Sequence, residues 1–117
     1  MSNRHFKRQL VHAAPVFAAL GDDVRLYLVA RLCAGGPLSI SRLSEGVAVT
    51  RQAVTKHLHV LEDAGVVAGS RHGREQIWQV QPDALAEARR ALDAIGSQWE
   101  NALGRLKQFV ESEDQES

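Results

Sequence analysis

Residues 50–65 read TRQAVTKHLHVLEDAG and residues 66–80 continue VVAGSRHGREQIWQV, a polar-capped helical pattern that runs into a two-strand pattern with a basic tip. Residues three and four apart share one side of a helix. Val54, Leu58 and Leu61 therefore form an apolar stripe, while Arg51, Gln52, Thr55, Lys56 and His59 fall on the opposite side. Hydrogen-bonding and cationic side chains at the start of a helix suit base edges and phosphates, because the backbone N–H groups and the helix dipole add to the attraction for anions. After Ala64-Gly65 the period shortens from about 3.6 to about 2 residues. Val67, Gly69 and Arg71 alternate with their neighbours, as do Ile77 and Gln79 with Trp78 and Val80. This predicts a β-hairpin with His72-Gly73 at its tip, where glycine supplies the positive φ of a tight turn, and with Arg71, His72 and Arg74 crowded around it. The combination is a helix suited to a DNA groove followed by a basic wing.

Working upstream, Ser39 is placed to cap a short helix, SISRLSEG (39–46), in which Ile40, Leu43 and Val47 face inward, and GVAVT leads from it to Thr50. Short helix, tight turn and second helix make a helix-turn-helix. Before them, Asp22 or Asp23 caps a core helix whose Val24, Leu28, Val29 and Leu32 point inward and whose end is marked by Gly35-Gly36-Pro37. Arg25 follows the Asp pair and is expected to make an ion pair or cap a neighbouring helix. A further short helix is expected to start near Ala14, with Pro15 in its first turn, Phe17 and Leu20 on its inner side and Gly21 at its end. Residues 1–12 read as a flexible arm.

Downstream, a helix over about residues 82–110 carries Leu85, Leu92, Trp99 and Leu106 every seven residues, with Ala88, Ile95, Ala102 and Phe109 between them. This is an a/d heptad seam, and the remaining chain offers no second apolar element to cover it, so the most economical cover is the same helix of a second subunit. The acidic tail ESEDQES (111–117) is expected to be frayed. Residues 13–110 thus form one mainly α domain with a β-hairpin wing.

With 117 residues, one domain with a modest core is expected. No run of about 18 apolar residues exists, so the expectation is a cytoplasmic protein without a membrane partner. The single cysteine, Cys33, excludes an intramolecular disulfide framework and leaves two readings: a small helix-end residue, or a redox-active thiol beside Arg31. Formal net charge is zero, yet residues 1–80 hold ten Lys/Arg against six Asp/Glu and residues 81–117 hold four against eight. Local positive potential is enough for a handful of phosphates.

With helices, wing and terminal helix in place, the chain resembles the ArsR family of winged helix-turn-helix bacterial repressors over roughly residues 15–110. Three segments carry the likeness: ALGDDVRLYLVARL (19–32), with Asp22-Asp23-Val24 where the family usually has Asp-Pro-Thr; GGPLSISRLSEGVAVTRQAVTKHLHVLEDAGVV (35–67); and GREQIWQV (73–80). The Trp-bearing last helix is similar to a subgroup lacking the known metal-ligand motifs. The resemblance implies a homodimer joined by first and last helices, through Phe17, Leu85, Leu92, Ile95, Trp99, Ala102 and Leu106, on an inverted repeat of double-stranded DNA. It also implies that Arg51, Gln52, Thr55, Lys56 and His59 contact DNA from the recognition helix, Thr50 from its cap, and Arg71, His72 and Arg74 from the wing. By base chemistry Arg51 suits guanine and Gln52 adenine.

Metal sensing has little to stand on, since the helix at 39–46 has no cysteine pair and no histidine follows His72. His57 and His59 point to different sides of their helix, and nothing in the spacing of His5, His12 and Cys33 demands a shared ligand. No metal, cofactor or catalytic residue is therefore assigned. Three readings stay open: a DNA-binding repressor, with or without a small-molecule effector near Trp99; a metal- or redox-responsive version of it; and a winged-helix protein-interaction module. The last would want apolar anchors on the outer face of residues 50–59.

Overall fold

A computed structural model describes the backbone of residues 3–116 and the side chains of residues 4–113. The elements are α1 (Asn3–Leu20), α2 (Asp23–Gly35), β1 (Leu38–Ser39), α3 (Ile40–Ser44), α4 (Arg51–Asp63), β2 (Val67–His72), β3 (Glu75–Val80) and α5 (Pro82–Glu116). The mainly α fold with a β wing matches the reading from sequence. Among the described residues no helix is long and apolar enough to cross a membrane.

The helix starts follow their caps. Asp22 accepts from the Arg25 N–H, Ser39 from the Arg42 N–H and Thr50 from the Ala53 N–H, each satisfying a first-turn donor that has no carbonyl within its helix. The stripes meet as their spacing requires: Leu28 of α2, Leu43 of α3 and Val54, Leu58 and Leu61 of α4 are all fully buried. Trp78 of β3 closes this core at 2% exposure. It lies across from Gly69 of β2, where a Cβ would stand 2.5 Å from Gln76 Nε2 and 3.1 Å from the indole, so the glycine makes room for both side chains.

Four features depart from the sequence reading. Helix α1 begins by Asn3 and runs through Pro15, so residues 3–12 are not an irregular arm; only Met1 and Ser2 of that stretch lie outside the described residues. Its early turns pack on α5, with Ala13 of α1 and Ala88 and Ala91 of α5 buried and His12 Nε2 3.0 Å from Glu87 Oε1. Tertiary packing outweighs the missing proline N–H, since the ring sits on the exposed side of the helix. A short strand, β1, pairs with β3 (Leu38 with Trp78, Ser39 with Ile77) and gives a three-stranded antiparallel sheet in the order β1-β3-β2. Two residues are too few to show an alternation. The hairpin turn is Gly73-Arg74 rather than His72-Gly73, because His72 pairs with Glu75; Gly73 takes φ +66°. Finally, α5 continues through residues 111–116 instead of fraying after 110.

At 35 residues α5 is roughly 52 Å long, at 1.5 Å rise per residue. The Cα radius of gyration is 19.9 Å, against about 13 Å for a compact chain of this size, because the distal half of α5 projects from the body. On the proximal half, Leu85 packs against the protomer's own core, as does Phe17 of α1. Both are half-buried in the protomer, with part of each side chain left at the surface. Leu92, Ile95, Trp99, Ala102 and Leu106 stay exposed, joined by Leu103, Phe109 and Val110.

Candidate nucleic-acid interface

The interface is built on α3, α4 and the wing, and two arginines of α2 hold that platform together. Arg31 Nη1 donates to the carbonyls of Arg42 (2.7 Å), Glu45 (3.1 Å) and Leu43 (3.4 Å), completing the C-terminal end of the five-residue α3. In the sequence Arg31 stands out only as a neighbour of Cys33. A cation near helix-end carbonyls is the signal that could have found this role, but the pairing spans 11 to 14 residues and needs the fold.

Arg25 bears out the capping expectation and does more. Its Nε donates to the Ala19 carbonyl (2.6 Å) at the end of α1, and its Nη1 lies 3.3 Å from His57 Nδ1 on α4. The Asp22 carboxylate is held below its ordinary pKa of 3.8, first by the Arg25 backbone N–H, against some opposing desolvation, and then by the charges of His57 and Arg25. His57 Nδ1 is also 3.8 Å from Asp22 Oδ2. The contact with Arg25 is the shorter one, and Asp22 is an electrostatic neighbour of the ring rather than a hydrogen-bonded partner. His57 is thus a packed link between α2 and α4.

On the outer side of α4, Arg51, Gln52 and Lys56 are exposed and Thr55 is half-buried. Their environments differ. Arg51 Nη2 donates to Ser41 Oγ of α3 (3.0 Å), and Thr55 Oγ1 donates to the Arg51 carbonyl (3.0 Å), while the Thr50 hydroxyl oxygen is committed to its cap. Gln52 and Lys56, one turn apart, project together from the first two turns. His59 is drawn aside: its Nδ1 lies 3.3 Å from Glu62 Oε1, and its ring stands edge-on to Trp78 with centroids 5.7 Å apart at 79°. It touches Trp78 of β3 and so links α4 to the wing, while its side chain stays 57% exposed.

In the wing, Arg71, His72 and Arg74 are exposed, with His72 Nε2 3.1 Å from Ser70 Oγ. Arg74, in the turn, shares a cavity of about 250 Å3 with Ser39, Ile40, Ser41, Arg51, Glu75 and Gln76. The structure thereby brings one recognition-helix cation and one wing cation to a common notch. Cys33 is exposed at the rim of an open groove with Leu32, Pro37, Val80 and Leu85. Among the described residues no group of three or more His, Cys, Asp or Glu is placed to hold a metal ion.

A short helix, a turn and a second helix whose polar side is presented outward, followed by a hairpin bearing cations at its turn, define a winged helix-turn-helix. Comparison with known proteins agrees. The family described as "Helix-turn-helix domain" matches residues 20–69. The HTH-type transcriptional regulator Rv2034 of Mycobacterium tuberculosis is 38% identical over 95 residues, covering 81% of this chain and 85% of that protein. The HTH-type transcriptional repressor SmtB of the same species is 32% identical over 97 residues, covering 82% of this chain and 70% of the relative. Among solved structures, an ArsR-like transcriptional regulator from Rhodococcus superposes with TM-score 0.68 at 34% identity, over 85% of this chain and 92% of that one. The chain belongs to the ArsR family of winged helix-turn-helix DNA-binding transcriptional regulators, a family of regulators and not of enzymes.

Proposed function

We propose that the protein is a cytoplasmic homodimeric repressor that occupies an inverted repeat in double-stranded DNA, one recognition helix from each subunit entering successive major grooves. The reading is supported above all by one observation: Gln52 and Lys56 of α4 and Arg71 and Arg74 of the wing are exposed on elements whose opposite faces are buried in the core. Polar side chains carried on core-anchored elements suit base edges, and the flanking cations suit phosphates. Gln52, Thr55 and Lys56 carry sequence preference in this reading; Thr50, Arg71, His72 and Arg74 contact the backbone. His59 keeps a supporting place behind them.

The distal seam of α5 (Leu92, Ile95, Trp99, Ala102, Leu106) supplies the self-association surface, since an exposed apolar stripe of this length is costly in water and fits its own copy across a two-fold axis. Repression follows the name of the SmtB relative. The test is selection of genomic fragments by the purified protein, repeated with chelator and with reductant. Enrichment of an inverted repeat indifferent to both supports the reading. Enrichment that changes with either makes the protein a metal- or redox-responsive sensor, and none at low salt makes it a protein-interaction module.

A further inference from the structure

We propose that Arg51, although it lies on the recognition helix, reads no base: with Arg74, Ser41 and Ser39 it forms a clamp for a single DNA phosphodiester, and Glu75 weakens that clamp. The inference rests on the DNA-binding reading above and refines which side chains of that surface carry specificity. A guanine reader must present two guanidinium N–H groups side by side to N7 and O6. Arg51 instead commits one of the two Nη2 N–H groups to Ser41 Oγ at 3.0 Å, and the side chain is directed toward α3 and the notch of about 250 Å3 that it shares with Arg74 of the wing turn.

The chemistry of that notch is one-sided. Ser41 accepts from Arg51 and Ser39 accepts from the Arg42 N–H at 3.3 Å, and since each hydroxyl also holds a proton, both remain able to donate. Two arginines, Arg51 and Arg74, and two serines, Ser39 and Ser41, line the space, and Glu75 is the one acidic residue among its lining. Donors of this kind converge on an acceptor-only anion, and charge-assisted bonds from arginine are the strong ones. Because the notch joins α3 to the wing turn, one phosphate held there fixes the angle at which α4 meets the groove while carrying no sequence information of its own. Ser41 acts as a positioning residue for Arg51.

The experiment compares wild type with Arg51→Ala, Ser41→Ala and Glu75→Gln on operators selected by the wild-type protein, using anisotropy over a salt series, randomised half-sites and duplexes with single methylphosphonates. Arg51→Ala is expected to weaken binding about tenfold or more, the worth of one charge-assisted hydrogen bond. It should also lower the salt slope by about one and leave base preference unchanged. One methylphosphonate position per half-site should weaken wild type and add nothing to Arg51→Ala. Ser41→Ala should reproduce a weaker form of the same pattern, and Glu75→Gln should tighten binding roughly twofold to fivefold. All three positions border an exposed notch, and unchanged thermal unfolding of each variant keeps folding out of the comparison.

Relaxed preference at one base pair in Arg51→Ala, with the salt slope intact, overturns the clamp while leaving the DNA-binding reading in place. Sub-millimolar binding of inorganic phosphate by the DNA-free protein, lost in Arg51→Ala, makes the notch a small-anion site and also overturns it. Wild type that binds no duplex removes both readings together.

Discussion

Helices α4 and α5 are both amphipathic, and their apolar stripes meet opposite fates. Val54, Leu58 and Leu61 of α4 are fully buried, whereas Leu92, Trp99 and Leu106 of α5 are 54%, 65% and 59% exposed. Within α5 two faces differ as well: Ala91 is fully buried, while its neighbour Leu92, about 100° around the helix, points away from the body. Helix α1 lies alongside one face as far as about Ser97, where the groove between them ends, and α5 then runs on without it. A repeating apolar stripe reports that a face must be covered and is silent about what covers it. In α4 the answer is the protomer, and the polar side left outside is the DNA-facing surface proposed. In α5 the answer proposed is a second subunit.

The contrast can be broken most forcefully in the core. Leu58→Ala removes a fully buried side chain and is expected to cost about 2–5 kcal/mol in urea unfolding. A cost below about 1 kcal/mol would mean that the α4 stripe is not part of the protomer's core. Trp99→Glu attacks the other stripe. It should leave the dilute protomer as stable as wild type and weaken self-association on the order of a hundredfold, since a charge then enters an apolar seam. Sedimentation that still finds a tight dimer would place the interface elsewhere.

On the outward side of α4, Gln52→Ala should cost about 1–3 kcal/mol on the selected site and relax one base position, read by competition with single-base variants. Equal loss on every sequence would reduce Gln52 to a backbone contact. The smallest effect concerns the α1–α2 junction behind α4. Asp22 has a folded pKa below 3.8, so its stabilisation is present above that value and is lost as pH falls through the folded one. Asp22→Asn keeps an acceptor for the Arg25 N–H but does not titrate. The stability difference between wild type and this variant, followed by circular dichroism, should therefore be flat at higher pH and shrink in acid. A constant difference would mean that folding does not hold the Asp22 carboxylate below its ordinary pKa.

Much of this was legible in the chain, wherever the signal was local. The caps at Asp22, Ser39 and Thr50 lie within three residues of the groups they serve, the stripe of α4 lies within two turns, and the wing announces itself by a change of period. Features that depend on distant partners were misread or missed. Pro15 looked like a helix start because the packing of residues 3–12 against α5 is invisible in their own composition. Strand β1 exists only because Leu38 finds Trp78, forty residues on. Arg51 and His59 sit on the polar side of α4 by periodicity, yet one is turned onto Ser41 and the other onto Trp78. Long polar side chains have many rotamers, and a partner contributed by another element selects among them.

The sequence by itself determined a winged helix-turn-helix: which segments are helical, where most of them start, which faces are apolar and where the cations cluster. These follow from backbone geometry and side-chain chemistry over a few residues. Only the tertiary structure decided that α1 covers the first turns of α5 and leaves the rest bare, that Arg25 and Arg31 brace α4 and α3, and that Arg51 meets Arg74 across a notch. Those outcomes depend on which surfaces close packing brings within a few ångströms, and that is a property of the assembled chain rather than of any stretch of it.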